Sequence, residues 1–391
     1  GARRLRCRWQ PPLDHPRPRL PSGTGDAVVY LTHQLRETTA KVVYVDLSQA
    51  SMDVAKKRIE ARGLGDRVQW VLGSLLDIPK MGFAPFDYVN CSGVLHHLAD
   101  PVAGLAALRS VMKDDGAMGI MVYGQYGRTG VYQMQSLMRL LNDPDMDEAA
   151  RVDQTLSVLR NLPETNWYRR GSTLFSPKLE SNHVEAYDLF LHSQDRAYTV
   201  PELYEFLATA GLNLQEFSVD HRVLYNPLMT MTDPELRAAV QGMPRPRQQA
   251  IAELYCGSII KHACWATAAP SPRIVSTDPD NVPFFSRLAD VYGVRQSYLS
   301  CTESRWNFQV SIMGGTQVRV SLDKLPAVVR FFELIDNRRT MGEIVRLMAD
   351  DYDPSPAPAE IWRVCLRVIE LLQAYDLILL RHRDSKGFRI D

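Results

Sequence analysis

Two glycines and an acidic residue near the start of the chain have the types and spacing of a nucleoside-binding site. The glycines lie in Ser22-Gly-Thr-Gly-Asp26, ahead of a predicted helix, and Asp46 ends the next predicted strand. Glycine lets backbone amides approach a ligand that a Cβ would block. A carboxylate roughly 20 residues further on, at a strand tip, can accept hydrogen bonds from both ribose hydroxyls. The same glycines are equally compatible with an ordinary turn.

The residue three positions after Gly25 argues against a dinucleotide. A dinucleotide site has a third glycine there, which allows close packing of helix on strand. This chain has Val28 at that position. The pattern therefore indicates a different nucleoside ligand.

Strand-length apolar runs alternate with helical segments from residue 26 onward, which indicates a parallel sheet with helices on its faces. Thr199, with Glu202 three residues later, is typical of a capping box. Helices are predicted over Ser48–Gly63, Pro101–Lys113, Val131–Leu141, Ala149–Leu162 and Thr199–Gly211. Strands are predicted at Lys41–Asp46, Val68–Leu72, Phe86–Cys91, Ala117–Tyr123, Asn213–Val219 and Gly257–Ala266.

Five ordered segments carry these features. They are GTG at 23–25, VYVDLS at 43–48, VLGSLLDIP at 71–79, FDYVNCSGVLHHLADP at 86–101 and KDDGAMGIMV at 113–122. Together they resemble the class I S-adenosylmethionine-dependent methyltransferases, in particular the group that includes the ubiquinone and menaquinone methyltransferases. The resemblance implies a methyltransferase domain over residues 20–267 with a Rossmann-like, doubly wound α/β sheet of seven strands, and S-adenosylmethionine as cofactor.

The resemblance also implies roles for individual residues. The glycine segment would line the methionine moiety, Asp46 would hold the ribose hydroxyls, and Leu47 would pack on the adenine. Ser74 and Leu75 would lie at the adenine edge, where many relatives have an acidic residue, and Cys91 would lie beneath the sulfonium. The implied cofactor-binding residues are Gly23, Thr24, Gly25, Asp46, Leu47, Ser74, Leu75 and Cys91. No metal site is expected.

The residues before Gly23 depart from the family pattern. The family has an apolar strand ending in Gly-x-Gly-x-Gly, whereas Pro21 stands at the first glycine position and residues 15–20 contain two more prolines. Proline cannot donate to a strand ladder, so either the first strand is missing from this chain or the protein is a damaged methyltransferase. Residues 1–19, with six arginines and one acid, have three interpretations: a transit peptide, a basic arm, or a disordered or artefactual lead, which we favour.

A general base is needed for methyl transfer only when the nucleophile arrives protonated. The candidates are His96, His97, His192 and Tyr126. For the histidine pair the competing interpretation is capping or packing. Residues 123–132, with glycines between tyrosines, predict either a lid over an aromatic or apolar substrate or a plain loop. Residues 192–198 are a second candidate substrate contact. The competing interpretation is helix capping and a surface ion pair.

Composition and one missing signature bear on the methyl acceptor. Lys+Arg and Asp+Glu are 45 each, and proteins that neutralise many phosphates carry a basic excess. Residues 90–93 read Asn-Cys-Ser-Gly, not the Asn/Asp-Pro-Pro-Tyr/Phe signature of enzymes that methylate nucleobase amino groups. We expect transfer to a small molecule and no nucleic-acid partner. The alternatives are a peptide- or protein-modifying methyltransferase and a catalytically inactive methyltransferase-like binding module.

The last part of the chain predicts a second domain. A Pro/Ser-rich junction at 268–273 indicates a linker over 268–300 and a domain over 301–391. Its segment Leu334-Ile-Asp-Asn-Arg-Arg-Thr340 resembles the winged-helix, PqqD-like peptide-recognition domains. This resemblance implies a small α+β winged-helix-like domain that binds a peptide or protein partner. The predicted elements are a hairpin at 306–313 and 317–322, helices at 325–336, 340–350 and 358–375, and a strand at 376–383.

The length of 391 residues is typical of two domains. No run of about 18 apolar residues predicts a membrane span. The six cysteines are scattered, with no Cys-x-x-Cys pair, which predicts reduced thiols in the cytoplasm rather than a zinc site or a disulfide framework.

Overall fold

A computed structural model describes most of the chain and divides it into two compact units, with the boundary between residues 270 and 271. The described residues are 25–36, 38–143, 145–175, 179, 182–192, 194–218, 222–269, 277–286, 289–290, 292–311, 317–351, 356–375 and 377–384. The expectations for residues 1–24, which include Gly23, Thr24, the basic lead and the first strand, lie outside these residues. Residues 25–269 are called the N-terminal unit below, and residues 277–384 the C-terminal unit.

The N-terminal unit alternates strands and helices, as the apolar periodicity predicts. Its strands are β1 (Val42–Asp46), β2 (Val68–Leu72), β3 (Phe86–Ser92), β4 (Met112–Gly124), β5 (Ala197–Tyr198), β6 (Asn213–Phe217) and β7 (Lys261–Thr267). Its helices are α1 (Asp26–Gln34), α2 (Gln49–Glu60), α3 (Pro101–Ser110), α4 (Thr129–Leu141), α5 (Glu148–Arg160), α6 (Trp167–Arg170), α7 (His183–Phe190), α8 (Val200–Ala208), α9 (Pro227–Thr230), α10 (Pro234–Gln241) and α11 (Arg245–Cys256).

Among the described residues the strands form two sheets, and the expected single seven-stranded sheet stays a prediction. β1 and β2 make a parallel pair in which Asp46 lies opposite Leu72. The larger sheet has the order β3-β4-β7-β6, and β5 pairs with the last two residues of β4. β3 and β4 are parallel, whereas β7 runs antiparallel to both β4 and β6. The larger sheet is therefore mixed, not purely parallel.

Strands β1 and β3 each have one edge without a pairing strand among the described residues. Among the described residues, β1 is paired only with β2, and β3 is at the edge of the larger sheet. The expected first strand falls on residues 15–21, outside the described part. Parallel strands place their carboxyl ends at the same edge of a sheet, where ligands of open α/β folds bind. The residues following β1, β3 and β4 are thus the ones to search for a site.

Side-chain caps fix where the helices near this edge begin. The Ser48 hydroxyl accepts from the backbone N–H of Ser51 at 3.2 Å, ahead of α2. Thr199 and Glu202 form the predicted capping box at the start of α8. Such caps satisfy backbone donors that a helix leaves unpaired at its start. These helix starts were predicted from residue type alone and are confirmed.

The segment after β4 is regular structure and not a plain loop, and its role as a lid stays a prediction. A short 3₁₀ turn, Tyr126–Arg128, leads directly into α4. A Cβ on Gly127 would lie 2.3 Å from the carbonyl carbon of Ile259, and one on Gly130 would lie 2.3 Å from the backbone nitrogen of Tyr168. The glycines therefore allow close backbone packing, which gives this segment a fixed shape.

The C-terminal unit contains regular structure where a linker was expected. Strand β8 (Asn281–Phe285) and helix α12 (Val294–Ser300) fall within residues 268–300, and β8 pairs antiparallel with the last strand. Asn337 has φ 62°, a left-handed conformation that asparagine adopts more readily than most residues, and Thr340 and Glu343 form a capping box. The remaining elements are β9 (Arg305–Ser311), β10 (Gln317–Asp323), α13 (Pro326–Leu334), α14 (Met341–Asp350), α15 (Pro358–Ala374) and β11 (Ile378–His382). Across the described ranges of both units, no helix is long and apolar enough to cross a membrane.

Replacing Gly25 by alanine should destabilise the N-terminal unit more than the same change at Gly63. Both glycines have positive φ, 75° and 67°, so each alanine costs about 1–2 kcal/mol of backbone strain. A Cβ on Gly25 would also lie 2.4 Å from the Cβ of Ala55, whereas nothing lies within 4 Å of one on Gly63. Urea unfolding of the two variants measures the difference, and equal losses would contradict the close approach of α1 and α2.

Candidate active site

The Asp46 carboxylate is fixed in place at the end of β1. Its Oδ2 accepts a hydrogen bond from the Tyr44 hydroxyl at 2.6 Å, and its Oδ1 accepts one from the backbone N–H of Ser48 at 2.8 Å. The Tyr44 ring packs edge to face on Trp70, with 5.3 Å between centroids. Burial, reinforced by the Asp46 carboxylate, raises the pKa of Tyr44, so its hydroxyl remains a donor. Each carboxylate oxygen keeps a second lone pair for a ligand.

Two exposed leucines flank this carboxylate. Leu47 follows Asp46 and is 73% exposed, and Leu72, opposite Asp46 on β2, is 54% exposed. Exposed apolar area costs about 25 cal/mol per Å² relative to burial, so a flat apolar ring placed here would be stabilised. A carboxylate that can accept hydrogen bonds fits the ribose hydroxyls of a nucleoside, and the apolar side chains beside it fit the base.

The other expected donor-site residues in the described part have local structural roles. Ser74 caps a 3₁₀ turn, its hydroxyl accepting from the N–H of Leu76 at 3.2 Å. Leu75 lies against α3, because a Cβ on Gly104 would be 3.4 Å from its Cδ1. Gly25 precedes α1 in the left-handed conformation. Ser74 thus caps a turn at the position where many relatives have an acidic residue.

Cys91 lies inside β3 and is only 6% exposed. Burial raises the pKa of its thiol to about 12, so the sulfur stays protonated and is a poor nucleophile. Gly93 follows with φ 78°, and its N–H donates to the carbonyl oxygen of Met121. This turn directs the chain from β3 into the segment that contains His96 and His97.

Three of the four candidate base residues come together beyond β3 and β4. His96 packs on Tyr123 at 3.9 Å between ring centroids and on His97 at 4.2 Å, and His97 stacks on His192 at 4.0 Å. We call these four side chains the histidine cluster. Tyr126 is 37% exposed in the turn after β4, and none of the ring contacts found among the described residues joins it to the cluster. The structure thus separates Tyr126 from the three histidines.

His96 is the most deeply buried of the three histidines. It is 1% exposed, and neither ring nitrogen has a hydrogen-bond partner among the described residues. Burial, assisted by the neighbouring His97, Arg128 and His192, lowers the pKa of His96 to about 2. The ring is therefore a neutral imidazole.

The backbone of Gln194 holds the other two histidines. His97 Nδ1 lies 2.9 Å from the Gln194 carbonyl oxygen, and the Gln194 N–H donates to His192 Nδ1 at 3.2 Å. Burial lowers the pKa of His97, with a smaller contribution from His192, against the hydrogen bond to Gln194 and the carboxylates of Asp195 and Asp188.

A buried ion pair that the sequence did not reveal supports the cluster. Arg128 and Asp195 lie 3.1 Å apart, with side-chain exposures of 4% and 0%, and the Arg128 guanidinium stacks 3.6 Å from the centroid of the Tyr123 ring. Asp195 also accepts from Gln135 at 3.0 Å and from Tyr132 at 3.3 Å. The expectation of a surface ion pair near Asp195 is wrong, because its partners come from the turn after β4 and from α4, more than 50 residues away.

A pocket of about 400 Å³ adjoins the cluster between α4, α5 and α7, and it includes His192 in its wall. Its other lining residues combine apolar and charged side chains: Met138, Arg139, Asn142, Asp143, Met146, Glu148, Arg151, Tyr187, Phe190 and Leu191. This mixture suits a ligand of small-molecule size.

The C-terminal unit contains one group with the spacing of metal ligands among the described residues. Asp278, Asp280 and His382 place ligand atoms within 4.8 Å of one another. Arg383 donates to Asp280 at 2.8 Å, so the chain itself supplies a positive charge. We therefore assign no metal to this group.

Comparison with known proteins supports the resemblance in its coarser form. Residues 20–118 match the methyltransferase domain family. An uncharacterized protein of Synechococcus sp. is 30% identical over 66% of this chain and 62% of its own length. The tRNA 5-carboxymethoxyuridine methyltransferase of Escherichia coli is 30% identical over 28% of this chain and 41% of its own length. The demethylmenaquinone methyltransferase of Lactobacillus johnsonii is 29% identical over 26% of this chain and 41% of its own length. The chain thus spans less than two thirds of each of these relatives.

The fold has a counterpart among solved structures. PKMT2 from Rickettsia typhi superposes with a TM-score of 0.61 at 13% identity, over 92% of this chain and 69% of that chain. The same protein has been solved in complex with AdoHcy, with a TM-score of 0.60 at 12% identity over 92% of this chain and 70% of that chain. The prediction of a methyltransferase domain is confirmed for residues 20–118, which match that family, and PKMT2 shares the fold. The winged-helix assignment stays a prediction.

Replacing Arg128 by methionine should destabilise the N-terminal unit by about 3–5 kcal/mol, because Asp195 would remain as a buried charge without its partner. Adding Asp195→Asn should recover part of this loss, since it removes that charge. The control is Lys113→Met, which breaks an exposed pair with Asp87 and should cost less than about 1 kcal/mol. Urea unfolding compares them, and a similar small loss in both single variants would contradict the buried pair.

Proposed function

We propose that this chain transfers a methyl group from S-adenosylmethionine to a small-molecule acceptor, with the donor bound at the carboxyl ends of β1 and β3. The observation that carries the proposal is the fixed Asp46 carboxylate between exposed Leu47 and Leu72, in a region that matches the methyltransferase domain family. S-adenosylmethionine supplies an electrophilic methyl group on a sulfonium sulfur.

The donor site uses side chains and backbone for different parts of the ligand. The free lone pairs of Asp46 accept from the ribose hydroxyls, and Leu47 covers the adenine. Ser74 and Leu75 border the adenine edge, with Ser74 contributing its backbone since its hydroxyl caps the following turn. The glycine segment ending at Gly25 lines the methionine moiety.

Cys91 and the histidine cluster complete the site on the side where the acceptor enters. The protonated Cys91 thiol lies behind the reacting groups as packing and takes no part in the transfer. An in-line displacement gains much of its rate from holding nucleophile and methyl group at attack distance. The fixed segment after β4 and the buried Arg128–Asp195 pair supply that rigidity.

The size of the acceptor follows from the pocket beside the cluster. A volume of about 400 Å³ lies in the range of sites that enclose small organic ligands. The ring of His192 joins this pocket to the stacked His97.

For the C-terminal unit we propose a peptide or protein partner. Its support is a groove of about 520 Å³ whose charges have both signs, lined by Arg338, Arg339, Glu343, Arg346, Leu347 and Asp350. Mixed charges favour a partner with both acidic and basic groups over a polyanion. If that partner is itself the methyl acceptor, the chain is a peptide-modifying methyltransferase.

Replacing Asp46 by alanine should weaken S-adenosylmethionine binding by about 1–3 kcal/mol, because hydrogen bonds to a charged acceptor are lost. The matched control is Asp53→Ala on α2, whose exposed carboxylate accepts only from Gln49 among the described residues, and it should bind like the wild type. Isothermal titration calorimetry of the full chain measures both. Unchanged affinity in Asp46→Ala would contradict the ribose role. No heat from folded wild-type protein would leave the inactive binding module as the better function.

A further inference from the structure

Two histidines of the cluster, His97 and His192, differ in which ring nitrogen carries hydrogen. From this difference, and given the methyl transfer proposed above, we infer that Nε2 of His97 accepts a proton from the methyl acceptor and that the acceptor is a hydroxyl compound. The inference adds a catalytic residue and an acceptor class to the proposed function.

The hydrogen bond to Gln194 fixes the tautomer of His97. A carbonyl oxygen can only accept, so Nδ1 of His97 must carry the hydrogen in the 2.9 Å contact with the Gln194 oxygen. A neutral imidazole has one N–H. Nε2 of His97 therefore has a free lone pair, which is what a general base requires.

The neighbouring histidine has the opposite tautomer. The backbone N–H of Gln194 donates to Nδ1 of His192 at 3.2 Å, so Nδ1 of His192 is an acceptor and its hydrogen lies on Nε2. His192 therefore presents a hydrogen-bond donor, and His97, stacked 4.0 Å away, presents an acceptor. One residue's backbone sets both roles.

His96 is unsuited to proton transfer. With a pKa lowered to about 2 by burial, its ring holds a proton too weakly to serve as a base near neutral pH. Its two unpartnered nitrogens lie inside the cluster, where leaving polar atoms unpaired costs free energy. Because both nitrogens are buried, an acceptor does not reach them, and the base for its hydroxyl must be another residue of the cluster.

Contacts of the two residues that follow Gln194 hold its backbone in place. Asp195 is tied to Arg128 at 3.1 Å, and the N–H of Arg196 donates to the carbonyl oxygen of His96 at 3.0 Å. The segment is thus anchored to the turn after β4 and to the histidines themselves. Asp195 and Arg128 act through Gln194 and are positioning residues.

The chemistry balances with the groups named. The hydroxyl oxygen of the acceptor forms a bond to the methyl carbon as the carbon–sulfur bond breaks, and that electron pair stays on the sulfur. The hydroxyl proton moves to Nε2 of His97 and is released to solvent afterwards. A hydroxyl arrives protonated at neutral pH, with a pKa of about 10 for a phenol, whereas a neutral amine brings its own lone pair.

The surroundings of His97 leave it neutral when the enzyme works. Burial and His192 lower its pKa, while the Gln194 carbonyl, Asp195 and Asp188 raise it by less; Tyr123 and His96 pack on it, and Arg128 stacks on Tyr123. The net pKa lies below the usual value for histidine, so the base form predominates at pH 7. Methyl transfer to a hydroxyl should fall only as the pH drops below that pKa.

The tautomers can be measured without knowing the natural acceptor. In full-length protein labelled with ¹⁵N-histidine, two-bond ¹H–¹⁵N spectra should show His97 with hydrogen on Nδ1 and His192 with hydrogen on Nε2, and His97 should titrate below pH 6.5. The His97→Asn variant assigns the signals. Hydrogen on Nε2 of His97, or a pKa above 7, would overturn the inference even if S-adenosylmethionine binds.

Turnover with two probe acceptors, phenol and aniline, tests the chemical role. His97→Asn keeps an amide N–H that can donate to Gln194 but lacks Nε2. With phenol it should lower kcat by about 100-fold or more, with a smaller loss for aniline, while donor affinity by calorimetry stays within about twofold. The control His183→Asn changes an exposed histidine on α7 and should match the wild type.

Each result has one meaning. A wild-type protein that binds the donor but does not methylate phenol, or a His97→Asn variant that methylates phenol at the wild-type rate, would overturn the inference while leaving donor binding intact. A wild-type protein that binds no donor would overturn the proposed function instead. In the wild type, phenol methylation should fall at acid pH. If this fall is absent in His97→Asn, the result would support the role of Nε2.

Discussion

The buried pair of Arg128 and Asp195 is the interaction on which the candidate site depends. Neither side chain is more than 4% exposed, and an ion pair taken out of water is stable only with good geometry and additional hydrogen bonds. Gln135 and Tyr132 supply two of these, and the Tyr123 ring covers one face of the guanidinium. The pair fixes the turn after β4 relative to the segment before α8, and the histidines lie between them.

The site combines two sides that the fold builds differently. On the donor side, a strand end, a cap and a glycine turn place Asp46, Ser48 and Gly25, and all three positions follow from local chain geometry. On the acceptor side, the rings of His96, His97, His192 and Tyr123 meet through tertiary packing. The proposed donor side therefore depends on local chain geometry, and the proposed acceptor side on tertiary packing.

Local patterns predicted much of the fold and the donor side of the site. The capping box at Thr199 lies where residue type placed it, because its hydrogen bonds join residues within one turn. The strand that ends at Asp46 lies on the apolar run that predicted it. The prediction of a linker over 268–300 was wrong because the structure there depends on long-range pairing. β8 contains a proline, and its pairing partner, β11, lies almost 100 residues away, so no local pattern identifies it.

The sequence by itself determined the class of domain, the carboxylate at Asp46 and the three histidines as candidates, since these depend on residue type and short-range spacing. Only the tertiary structure decided which histidine can accept a proton. That choice depends on Gln194, about 97 residues from His97 along the chain, and on the burial that keeps His96 neutral. Tautomer and charge are set by the partners that folding brings within hydrogen-bond distance, and spacing along the chain does not encode those partners.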